Sequence, residues 1–205
     1  MNRISLEKPL TQKQMAILDA ACALFIAHGY EGTSIDMIAE KAEVSRQTIY
    51  NGFTSKEDLF LAMVNDAIRQ ILMPVLTPDQ PAQSLRQALH VFGKGILELT
   101  MSADAIALQR LVIVEALRFP QLGAALFYDG VERVERELAS FLQTHRQFTG
   151  KDSRLAARLF LSMVTRPSLF QVQLGIVEYP DQTSIDTHLD ATIDLFLHGV
   201  AAQTG

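Results

Sequence analysis

The side chains best equipped for chemistry in this 205-residue sequence lie close together: Arg46 and Gln47 follow Ser45 directly, with Thr48 and Tyr50 just beyond. Arginine can bond guanine through two parallel N–H donors, and glutamine can bond adenine in the same bidentate way, so an exposed Arg-Gln pair can read base edges. An isolated pair of this kind is more often plain solvated helix surface. Acid-base and nucleophilic chemistry find no comparable set. His28 belongs to a helix end, His90 stands between Leu89 and Val91, and His145, His188 and His198 fall near helix surfaces or ends. No HExxH-type spacing offers a metal site. Cys22 is the single cysteine, placed among Ala20, Ala21, Ala23, Leu24 and Phe25, so it forms no internal disulfide and reads as core packing. No catalytic residue, metal site or cofactor is expected, and an enzyme is the disfavoured reading.

The elements that must hold Arg46 and Gln47 can be read outward from them. Ser45 is placed to cap a short helix containing residues 46 to 50, and Gly52 ends that element. Before it, Thr33 and Ser34 can cap a helix of about two turns, with Asp36 in its first turn and Ile35, Ile38, Ala39 and Ala42 as its apolar face. Val44 plugs the polar turn between the two. Two short helices joined by a tight turn are the geometry of a helix-turn-helix. Upstream, Met15, Leu18, Cys22 and Phe25 mark one face of a helix over 11–28, closed by Gly29. Downstream, Ser55 begins a helix expected to reach Met73, with Glu57 and Asp58 in its first turn.

The stretch ALFIAHGYEGTSIDMIAEKAEVSRQTIYNGFTSKEDLF, at 23–60, resembles the TetR family of regulators, and the likeness extends over about residues 11–60. The segments LQRLVIVEALRFPQLGAALF (108–127) and LDATIDLFLHG (189–199) resemble the C-terminal domain of its AefR-like branch. The resemblance implies a transcriptional regulator, a repressor released from operator DNA by a small hydrophobic effector, working as a homodimer. It implies that the third helix enters the major groove with Arg46, Gln47 and Thr48 near base edges and Tyr50 against the backbone. Thr33 and Lys56 look like phosphate clamps, because each sits at a helix start where amides and the helix dipole attract phosphate; Ser34 and Ser45 join them at the caps. Two departures stand out: Glu43 where the family usually has glycine, and Gly52 where it often has His or Tyr. The alternative is a helical interaction protein whose helix-turn-helix no longer binds DNA.

Charge gives the DNA reading no help, since the net charge is −5 and residues 1–60 hold six Lys and Arg against eight Asp and Glu. Phosphate contacts must then be few and well placed. With 48% hydrophobic residues, seven prolines, eleven glycines and no tryptophan, the expected fold is all-α: a DNA-binding domain at 1–60 and a larger helical domain at 61–205. The run PVLTPDQP at 74–81 cannot be continuous helix. Beyond it helices are expected at about 82–100, 104–118, 120–146, 152–176 and 184–202, with Pro167 kinking or splitting the fourth. Phe92, Leu108, Leu111, Val112, Glu115, Phe127 and Tyr128 are the candidate effector site, apolar walls with one acid. The plainer alternative is core packing, with Glu115 and Arg118 paired on a helix surface. Leu159, Phe160, Met163, Phe170, Ile193, Phe196 and Leu197, with Leu169, are candidates for a four-helix bundle between two copies, or else for intramolecular core. No apolar run suits a signal peptide or a membrane span, so a soluble, cytoplasmic protein with no membrane partner is expected.

Overall fold

The computed structural model describes residues 10–76, 84–166, 168–177 and 181–202, and among them every regular element is helical. α1 (Gln12–Gly32) begins in a capping box: the Thr11 hydroxyl accepts from the Gln14 amide, and the Gln14 side chain accepts from the Thr11 amide. It breaks at Gly29, where φ is 71°, a conformation that costs glycine nothing. α2 (Ile35–Lys41) and α3 (Arg46–Gly52) are capped by Ser34 and Ser45, whose hydroxyls accept from the amides of Met37 and Thr48. α4 (Lys56–Leu76) follows Ser55, which accepts from the Asp58 amide, while the Asp58 carboxylate accepts from the Thr54 amide. α4 runs three residues past the expected end at Met73.

The remainder comprises α5 (Leu85–Thr100), α6 (Ala103–Glu115), α7 (Pro120–Ala124), a π-helical stretch at Ala125–Val131, α8 (Glu132–Gln143), α9 (Ser153–Thr165), α10 (Ser168–Gln173) and α11 (Gln182–Ala202). The single helix expected at 120–146 is thus interrupted by π geometry, and the one expected at 152–176 is split into α9 and α10. The break expected over 74–81 does not begin at Pro74, because α4 continues through that residue to Leu76; the rest of it, and the breaks expected at Pro167 and Pro180, lie outside the described residues. The end of α9 receives a side-chain donor from α11. His188 Nε2 lies 3.0 Å from the Met163 carbonyl and 2.9 Å from that of Val164, at the end of α9.

One continuous core runs from Ile17, Phe25 and Ile49 through Phe60 and Leu97 to Leu138, Phe160 and Ile193. α1 packs on α4, the π-helical stretch on α4 and α8, α8 on α9, and α11 on both α5 and α9. The α5–α11 crossing is tight because Gly93 has no side chain: a Cβ there would sit 2.8 Å from Leu189 Cδ2.

Candidate nucleic-acid interface

Ile49, fully buried, pins α3 to the core and turns the opposite side of that helix outward. Ser45, Arg46, Gln47 and Tyr50 are exposed there, and Thr48 is half-buried. The exposed side chains are held before any ligand arrives. Arg46 Nε lies 3.2 Å from Asp36 Oδ1 on α2. Gln47 Nε2 donates to Asn51 Oδ1 at 3.0 Å, and the Ser45 and Thr48 hydroxyls are 2.9 Å apart. Asp36 and Asn51 are therefore part of the same exposed, hydrogen-bonded surface as Arg46 and Gln47. Spacing on α3 puts Asn51 one turn after Gln47 and carries that signal, whereas the reach of Arg46 back to α2 is a tertiary contact with no sequence mark.

Thr33 corrects an expectation. Its side chain is 1% exposed, and its hydroxyl faces the α1 carbonyls of Leu24 and Gly29 at 3.1 and 2.9 Å. It closes the end of α1 and is out of reach of a phosphate, and Ser34 alone caps α2. Lys56, the other expected clamp, is half-buried at the start of α4, with its Nζ 4.3 Å from the centroid of the Tyr30 ring. Burial holds its ammonium below the ordinary lysine value, against the upward pull of the Glu115 carboxylate. Glu43 is exposed and takes φ of 54°, a conformation that suits glycine and strains a residue with a Cβ.

The seven residues expected to form an effector site do not converge. Leu108, Leu111 and Val112 are buried core, and Phe92 packs against that core. Phe127 and Tyr128 are 50% and 56% exposed on the π-helical stretch, as an edge-to-face pair. Glu115 lies instead near Lys56 and Tyr30, and Arg118 pairs with Glu31 rather than with Glu115. A cavity of about 630 Å³ opens elsewhere, between α6 and the α10 end, lined by Met101, Ile106, Arg110, Val172, Ile176 and Val177 among others. Arg110 ties that wall together by donating to the carbonyls of Gln173 and Val172.

The expected interface residues divide by face. Phe160, Ile193 and Phe196 are buried, with the Phe160 and Phe196 rings 5.0 Å apart, so they belong to the core of one chain. Leu159 and Phe170 are exposed, while Met163, Leu169 and Leu197 are half-buried. Sequence periodicity marks a helix as apolar but cannot say which of two apolar faces turns inward. Leu155 and Leu195, overlooked in the sequence, are 49% and 68% exposed. They border a cleft of about 240 Å³ between α9 and α11 with Leu159 and Met163.

Outside these surfaces, Cys22 is half-buried, and burial, with Asp104, Asp19 and Asp66 adding to it, pushes its thiol up to about 11. Among the described residues no three His, Cys, Asp or Glu side chains are grouped to hold a metal, and no helix is long and apolar enough to cross a membrane.

Residues 17–63 match the bacterial regulatory proteins of the tetR family, and residues 87–199, more than half of the chain, match the C-terminal domain of AefR-like transcriptional repressors. The chain belongs to the TetR family. An HTH-type transcriptional regulator of Mycobacterium tuberculosis is 30% identical over 136 residues, 66% of this chain, and that match spans 63% of the relative's length. A TetR-family regulator from Mesorhizobium loti superposes with a TM-score of 0.81 at 30% identity, covering 93% of this chain and 98% of its own. The flavonoid-responsive regulator FrrA gives 0.78 at 29% identity, with 92% and 96% covered. Within this TetR-family chain, α2 and α3 are the helix-turn-helix, and Arg46 and Gln47 stand at the exposed start of its second helix.

Proposed function

We propose that this protein is a sequence-specific, operator-binding transcriptional repressor that works as a homodimer and is released from DNA by a small hydrophobic effector. The observation that carries it is α3: a helix fixed by buried Ile49 that presents Arg46, Gln47 and Tyr50 outward, with the helix starts after Ser34, Ser45 and Ser55 nearby. Arg46 and Gln47 read bases with Thr48 beside them; Tyr50 and Lys56, together with amides at the capped helix starts, meet phosphates. The acidic net charge makes these few contacts matter more.

One short reading helix specifies too few bases for a unique site, so two copies with two-fold symmetry are required. Leu155, Leu159 and Leu195, exposed along α9 and α11, support a bundle with the same helices of a second copy. The open cavity between α6 and α10 is of ligand size and sets Ile106, Val172, Ile176 and Val177 beside Arg110, which supports it as the place an effector occupies. The name of FrrA records that one similar regulator responds to flavonoids.

The test is selection of duplexes from a random-sequence pool by the full chain, followed by gel shift on the enriched sequence. A near-palindrome with half-sites about 34 to 36 Å apart, or somewhat more, is expected. Enrichment of no sequence would instead favour a helical interaction protein whose helix-turn-helix has lost DNA.

A further inference from the structure

Tyr30 stands where the helix-turn-helix unit meets the rest of the chain. Its ring is 8% exposed and packs on Phe25, Phe60 and Phe119, with centroids 5.8, 5.0 and 4.5 Å away. Phe25 and Phe60 come from α1 and α4, but Phe119 comes from the connection between α6 and α7. Beside Phe119, Arg118 sets its guanidinium 5.4 Å from the Tyr30 centroid and pairs with Glu31. Lys56 Nζ sits 4.3 Å from the same centroid. Two cations, one from each half of the molecule, therefore share one aromatic ring. A neighbouring bridge reinforces the junction, since Gln121 Nε2 on α7 donates to Glu57 Oε1 on α4 at 2.6 Å.

A lysine ammonium on its four-carbon stem has many conformations to lose before it can meet a phosphate, and an aromatic face that holds the cation restricts them. We infer that Tyr30 is a positioning residue for Lys56, and that Arg118 makes this positioning answer to the regulatory half of the chain. The inference rests on the reading of Lys56 as a phosphate contact. With Arg118 in place, Glu31 is neutralised and the ring is shared, so the ammonium is aimed without being trapped. Without Arg118, the Glu115 carboxylate is left to draw Lys56 inward, away from DNA. Any shift of α6 that carries Arg118 off the ring has the same effect. Glu115 is the last residue of α6, and its carboxylate acts on both Lys56 and Tyr30. The cavity-lining residues Ile106 and Arg110 lie on that same helix.

The test is a double-mutant cycle on a duplex selected by the wild-type chain, with affinity measured by gel shift across a range of salt concentrations. Arg118→Met is expected to weaken binding about two- to fivefold, the size of one such cation contact. Lys56→Met is expected to weaken it and to lower the salt slope by about one. In the Lys56→Met background, Arg118→Met should have no further effect, because its influence passes through Lys56. Tyr30→Phe keeps the ring and should keep the wild-type slope. Tyr30→Leu should lose about one from the slope while Lys56 is still present; thermal unfolding shows whether that variant folds, and the cycle does not depend on it. Additive effects of Arg118→Met and Lys56→Met would overturn the inference while leaving Lys56 as a DNA contact. An unchanged slope in Lys56→Met would overturn it in a different way, by removing Lys56 from the DNA interface.

Discussion

In α1 to α4 every helix start is fixed by a side chain at that very position, Thr11, Ser34, Ser45 and Ser55 in turn. In α5 to α11 several starts are capped as well, by Ser84, Ser102 and Asp152, but α7, the π-helical stretch and α8 begin with no side-chain cap. Long-range contacts also tie this region together: Gly93 under Leu189, His188 onto the end of α9, and Arg110 onto the last carbonyls of α10. The first region is built from local chemistry and presents a rigid surface. The second is built from long-range packing, so a change at one helix is felt at another. The two regions join at one aromatic cluster, Phe25, Tyr30, Phe60 and Phe119.

The largest expected effect tests that junction. Phe60 is fully buried and touches Phe25, Tyr30 and Phe119, so Phe60→Ala should cost about 3 to 5 kcal/mol. The loss should show as one cooperative thermal transition at lower temperature; two separate transitions would mean that the halves are not joined by this cluster. Gly93→Val places atoms where Leu189 already lies and should cost about 1 to 3 kcal/mol. Far-UV circular dichroism melts of that variant should locate the damage in stability, with no change in salt slope on DNA.

Smaller effects sharpen the contrast. Glu43→Gly removes a Cβ from a left-handed residue and should stabilise the protein by about 1 kcal/mol. It also removes a negative charge from the turn between α2 and α3, so DNA affinity should rise rather than fall. Denaturant titration and gel shift measure the two parts separately. Arg86→Ala breaks a 2.8 Å pair with Asp194 that is about half exposed at both ends, and should cost under about 1 kcal/mol, less in high salt. A larger loss in the same denaturant titration would mean that this surface pair fixes the α5–α11 crossing.

How much the sequence revealed follows the same division. The two serine caps, the break at Gly29 and the outward turn of Arg46 and Gln47 were legible, because each depends on residues within a turn or two of one another. Thr33 misled because serine and threonine side by side offer two caps, and only tertiary packing decides that the threonine is buried against α1. Phe160, Ile193 and Phe196 misled for a related reason: helices with apolar residues on more than one face do not announce which face is the core. Phe127 departs because the π-helical stretch changes the rotation of every side chain after Ala124, whereas Leu111 and Glu115 lie before it on α6, where spacing alone does not say which face meets the core. Arg118 was legible as a cation on a helix end, but Glu31, eighty-seven residues earlier, was not legible as its partner.

The central claim is that α3 reads base sequence, and Arg46 tests it most directly. On a duplex enriched by the wild-type chain from a random pool, Arg46→Ala should lose about 1 to 3 kcal/mol of binding. Repeating the enrichment with the variant should relax preference at one position of each half-site while leaving the salt slope nearly unchanged. Equal affinity and an identical enriched sequence for Arg46→Ala and wild type would contradict the account.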